Sequence, residues 1–117
     1  MKYENFRVYY LIASRLQEAG VPGRLMPAAV AATALSFPGY VRLVASMHNM
    51  NVDEDDVLRY LRKHLPHPIP MGNLRTEGEF PSHTWRFGDS GGRPLLIEDE
   101  RGRLWRRWNG GYYCQTL

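Results

Sequence analysis

Asn109-Gly110 separates two runs, 103–108 (RLWRRW) and 111–116 (GYYCQT), and no other short signal constrains this 117-residue chain as strongly. A two-residue hairpin loop needs positive φ at both positions, which Asn and Gly adopt at least cost. Upstream, Asp99-Glu100-Arg101-Gly102 has Asp first and Gly fourth, the pattern of a type I turn. Residues 88–92, GDSGG, are again turn-forming types. Together the turns predict an antiparallel meander of four strands, at 83–87, 94–98, 103–108 and 111–116. Because side chains alternate along a strand, Arg103, Trp105 and Arg107 must share one face of the third strand and Leu104, Arg106 and Trp108 the other.

The first 65 residues read as about four short helices. Phe6, Tyr9, Tyr10, Ala13 and Leu16 recur at helical spacing over 4–19, and Gly20 follows as a stop. Pro27 suits the first turn of a second helix over 28–35, rich in small residues, and Pro38-Gly39 interrupts it. A third helix over 40–48 is expected to bury Tyr40, Leu43, Val44 and Met47. The fourth should open on a capping box of Asn51 and Glu54, bury Val57, Leu58, Leu61 and Leu65, and close on Arg62, Lys63 and His64 beside its negative end. The expected fold is therefore α+β in one domain: a helical part (1–65), a proline-rich connecting arm (66–82) and the antiparallel sheet (83–117). Residues 74–80 could add a short edge strand. The helices can cover one face of the sheet, expected to be that of Leu104 and Trp108, where Trp85, Phe87 or Leu95 and Ile97 could join them. Arg103, Trp105 and Arg107 would then face solvent or a partner.

Charge gives little direction. Fifteen Lys and Arg against twelve Asp and Glu leave +3, with 8 basic and 6 acidic residues through His64 and 7 and 6 beyond it. Neither half is the one-sided cationic block of a strong nucleic-acid binder. Cys114 is the single cysteine, so no internal disulfide forms. The first ten residues lack the basic-then-apolar pattern of a signal peptide, and no run approaches the ~20 apolar residues of a membrane span. The expectation is a cytoplasmic protein without a membrane association.

Gly88-Asp89-Ser90-Gly91-Gly92 resembles the segment around the nucleophile of chymotrypsin-like serine proteases. The resemblance implies Ser90 as nucleophile, with the amides of Gly88 and Ser90 facing an oxyanion. A triad also needs a positioned base and carboxylate. None of His48, His64 or His67 stands in that family's histidine motif, Arg93 replaces the usual following proline, and the family's two-barrel fold takes about twice this length. The five residues are therefore read as a turn, and no catalytic residue is assigned.

His64, His67, His83 and Cys114 are chemically competent zinc ligands, but their spacing matches no finger pattern. The acidic run 53–56 lacks the spacing and glycine of an EF-hand loop and reads as a helix start. Nothing in their spacing selects a pair among Glu77, Glu79, Asp89 and Glu98. No phosphate loop or dinucleotide fingerprint occurs, so no metal and no cofactor is expected.

What remains is a mixture of arginines and aromatic residues: Arg86, Arg103, Trp105, Arg106, Arg107, Trp108, Tyr112 and Tyr113. These types dominate protein-binding hot spots. The expected binding residues are Arg103, Trp105, Arg107, Arg86, Tyr112 and Tyr113. The expected function is that of a small non-enzymatic protein binding another protein, as adaptor or inhibitor. A phage or mobile-element inhibitor of a host system, such as an anti-CRISPR protein, is an instance suggested by small size and the lack of catalytic motifs. The alternative is a nucleic-acid-binding regulator using the Arg/aromatic sheet face, or a winged-helix-like arrangement of residues 11–48 with the hairpins as wing.

Overall fold

A computed structural model describes residues 3–37, 39–65, 74–80, 85–88 and 92–116. Four helices come first: α1 (Tyr3–Glu18), α2 (Met26–Ser36), α3 (Tyr40–Met47) and α4 (Glu54–His64). Five strands follow: β1 (Leu74–Arg75), β2 (Arg86–Phe87), β3 (Leu96–Glu98), β4 (Leu104–Trp108) and β5 (Gly111–Cys114). All pair antiparallel, in the order β1-β5-β4-β3-β2. The α+β plan expected from the sequence is the one observed. The sheet has five strands rather than four, because Leu74 and Arg75 pair with Tyr113 and Tyr112 as an edge strand.

The helix ends follow from local chemistry. α1 stops in a Schellman motif: Gly20 has φ +101°, its N–H donates to Gln17 O and that of Val21 to Leu16 O. Pro27 sits in the first turn of α2, whose residues Ala29 to Ala34 are buried on every side. That helix is the centre of the bundle, and its small side chains let its neighbours approach. Two helix details depart from expectation. In α3 the buried stripe is Val41, Val44 and Ala45, whereas Leu43 and Met47 are more than half exposed. The positions 41, 44 and 45 fit the same helical spacing as the expected stripe, turned by one residue. α4 is capped by Asp53, which accepts from the N–H groups of Asp55 and Asp56 at 2.9 and 3.3 Å, not by Asn51. Glu54 instead accepts from Arg42 at 2.7 Å and ties α4 to α3.

Two of the expected sheet turns form as predicted; the third, at 88–92, lies largely outside the described residues. Asn109 and Gly110 have φ of +48° and +80°, the signature of a type I′ turn, and Gly102 N donates to Asp99 O at 3.0 Å. The helices do cover the Leu104 face: Val8, Ile12, Val30, Val44 and Leu61 join Trp85, Leu95, Leu96 and Leu104 in one core. Ile97, expected there, lies on the other face, and Leu96 takes its place. Glu98 fastens the two layers, accepting from Trp85 Nε1 and from Arg24 Nη2, both at 2.8 Å. Among the described residues no single helix is long and apolar enough to cross a membrane.

Candidate functional site

The register places Arg86, Ile97, Trp105 and Cys114 in one row across the sheet face away from the helices, and Arg107, Tyr112 and Arg75 in the next. The expected grouping of Arg103, Trp105 and Arg107 is thus correct, but its exposure is not. Trp105 is 1% exposed and Tyr112 fully buried, in a second small core with Phe80, Ile97 and Cys114. The cause is the segment after β1. Residues Glu77–Glu79 make a 3₁₀ turn that brings Phe80 edge-on to Trp105 and Tyr112, at ring distances of 5.2 and 5.5 Å. Glu79 accepts from both the N–H and the hydroxyl of Thr76, closing that turn.

Several polar groups of this face are used internally. Asp99 has a fully buried side chain, which accepts from Trp105 Nε1 and Arg103 Nε at 2.8 Å and from the N–H groups of Arg101 and Arg103 at 2.9 Å. Burial works against its ionised form, but these bonds outweigh it and hold the carboxyl below its ordinary range. Arg103 and Arg75 lie over the Trp105 ring at 5.6 and 5.0 Å. Arg107 donates to Arg93 O at 2.8 Å, and Tyr112 donates to Pro94 O at 2.7 Å. Arg86 is exposed on the edge strand β2. Tyr113 lies on the helix-side face instead. Sequence reading did not name Arg75 or Phe80; the edge strand considered over 74–80 was the signal for both.

On the helix side, one row runs Leu96, Arg106, Tyr113, Leu74 across four strands. Burial falls along it. Leu96 is 0% exposed, Arg106 6%, Tyr113 half-buried, and Leu74 54% exposed. The helix layer therefore ends at Arg106, where α2 finishes and the Ser36 hydroxyl meets Arg106 Nη1. Beyond it Trp108, 44% exposed, packs edge-on to Tyr113 at 5.2 Å. Leu74 crosses Gly111, opposite Trp108, so closely that a Cβ there would lie 2.5 Å from Leu74 Cδ1. Trp108, Tyr113 and Leu74 thus form a continuous apolar corner of the sheet. Trp108 was expected under the helices; its face is the covered one, but the cover stops two residues short.

Other concavities offer less. A cavity of about 180 Å³ between α1 and α4, lined by Phe6, Tyr9, Tyr60, Leu61, His64 and Leu65, is below the usual ~300 Å³ of ligand pockets. An open depression of about 620 Å³ follows the α3–α4 connection, where Glu54 is paired with Arg42 and Asp53 caps α4. Cys114 is buried, and burial pushes its thiol pKa up, the reverse of an activated nucleophile. Glu98 is committed to Arg24 and Trp85. His64 packs against Tyr60 on α4, and among the described residues no three or more His, Cys, Asp or Glu side chains converge so that they could hold a metal ion. His67, His83 and Asp89-Ser90-Gly91 lie outside the described residues, as does most of the proline-rich arm. Comparison with protein-family models, with curated proteins and with solved structures finds no match.

Proposed function

We propose that the protein acts by binding another protein, as adaptor or inhibitor, through the sheet corner of Trp108, Tyr113 and Leu74. The observation that supports this reading is the exposure of Trp108 just past the edge of the helix layer, contiguous with Tyr113 and Leu74. A rigid indole beside a tyrosine and an arginine is the composition of binding hot spots, where a few residues supply most of the affinity. The expected Arg-rich face is the weaker choice, since its Trp105 and Tyr112 are inside. For the same reason those two rings offer no stacking platform for bases. In α2, residues Ala29 to Ala34 are buried, which leaves that stretch unable to enter a DNA groove.

The test is capture from nuclease-treated lysate of the native host, with wild-type bait beside Trp108→Ala and Trp108→Ala/Leu74→Ser. Both variants should unfold cooperatively near the wild-type midpoint and lose the specific partner. Equal capture by all three baits would refute the corner as the docking surface. Nuclease-sensitive capture with a steep fall in affinity at higher salt would instead point to nucleic acid.

A further inference from the structure

We infer that the segment docking on this corner carries a carboxylate that pairs with Arg106, so that the partner presents an acidic side chain beside an aromatic or branched aliphatic one. This rests on the proposed protein-binding reading. Among the described residues, the buried charges of the sheet are otherwise matched: Glu98 meets Arg24, and Asp99 meets Arg103. Arg106 is buried, 6% exposed, and its hydrogen-bond partner is a neutral hydroxyl, that of Ser36. Its Nε is buried with no hydrogen-bond partner. The C-terminal end of α2 offers roughly half a negative charge and the Trp108 ring, 5.1 Å from Cζ, a quadrupole. Neither supplies the forked acceptor that a guanidinium fits, which is a carboxylate.

Position favours an external source for it. Arg106 stands where the helix layer ends, with Tyr113 directly across the strand pair and Trp108 two residues on over the guanidinium. Trp108 is the last residue of β4 and 44% exposed, so its ring can turn aside without opening the core. A peptide lying over Tyr113 and Leu74 would place apolar side chains on the corner and an acidic one toward Arg106. Desolvation lowers the Arg106 pKa, in keeping with a charge that gains from an anion.

The experiment uses the full chain and a phage-displayed library of random 12-residue peptides, with enriched sequences resynthesised in Asp/Glu and Asn/Gln forms. Enrichment of acidic-plus-aromatic or acidic-plus-aliphatic sequences is expected. Replacing the acid by its amide should weaken binding to wild type about tenfold or more, and about twofold or less to Arg106→Met. If Arg106→Met does not fold, Arg106→Lys, which keeps the charge without the fork, should show a reduced acid-to-amide ratio. Peptides that bind through Trp108 with no acid-to-amide difference would overturn the carboxylate pairing and leave the docking surface standing. Enriched peptides indifferent to Trp108→Ala, or no enrichment at all, would overturn both. Displacement of bound peptide by a 12-nucleotide oligothymidine, lost in Arg106→Met, would reassign Arg106 to phosphate.

Discussion

Replacing Trp105 tests the second core most directly. The ring is 1% exposed, packs edge-on against Phe80, lies under the guanidinium groups of Arg75 and Arg103, and donates to Asp99. Truncation of a buried Trp to Ala costs about 3–5 kcal/mol through lost burial and the cavity left behind. Removing one donor from a buried carboxylate adds about 1–3 kcal/mol. The sum, roughly 4–8 kcal/mol, rivals the whole stability of a small domain, about 5–15 kcal/mol. Trp105→Ala is therefore expected to be largely or wholly unfolded. Trp105→Phe retains most of the packing and should lose about 2–3 kcal/mol. Trp108→Ala, at an exposed site, should stay within about 1 kcal/mol of wild type. Urea denaturation followed by far-ultraviolet circular dichroism gives all three values, provided the denaturant slope is unchanged. A Trp105→Ala protein as stable as Trp108→Ala would refute the closure of this face by Phe80.

Asp99 has a folded-state pKa held below its unfolded value, so its stabilisation is fully present above the unfolded pKa of about 3.9 and is lost as pH falls through the folded value. Wild type should accordingly exceed Asp99→Asn in urea midpoint at neutral pH, and the gap should narrow below about pH 4; a gap independent of pH would contradict this. Gly111→Ala puts a methyl 2.5 Å from Leu74 Cδ1 and 3.0 Å from the Arg75 carbonyl oxygen. Leu74 can move but the strand backbone cannot without unpairing, so we expect a loss of about 1–3 kcal/mol and faster amide exchange over residues 74–76; unchanged exchange would show that β1 is not held there.

Much of the fold was legible in the sequence because its signals are local. Gly20 and Pro27 mark helix ends by what their backbones permit, and the turns at 99–102 and Asn109-Gly110 place Gly102, Asn109 and Gly110 at positive φ, which few residues adopt. Alternation along β4 assigned Trp105 and Trp108 to opposite faces before any partner strand was known. The helix details that went astray were also short-range. Asp53 competed with Asn51 for the cap, and 41, 44 and 45 competed with 40, 43, 44 and 47 for the buried stripe, choices that near-equal local preferences leave to packing.

The candidate site was not legible in the same way. Parity states which side chains share a face; it carries no information on what lies against that face or where the covering layer ends. That was decided by two non-local events. The chain after β1 returns to lay Phe80 on Trp105 and Tyr112, burying the face that composition alone marks as a binding surface. On the other face α2 stops at Ser36, so the row from Leu96 to Leu74 passes from core to solvent, leaving Trp108 exposed and Arg106 at the margin without a carboxylate among the described residues. The sequence by itself determined the elements and the pairing of side chains within them. Only the tertiary structure decided which tryptophan is core and which is surface, because burial depends on segments brought together from far apart in the chain.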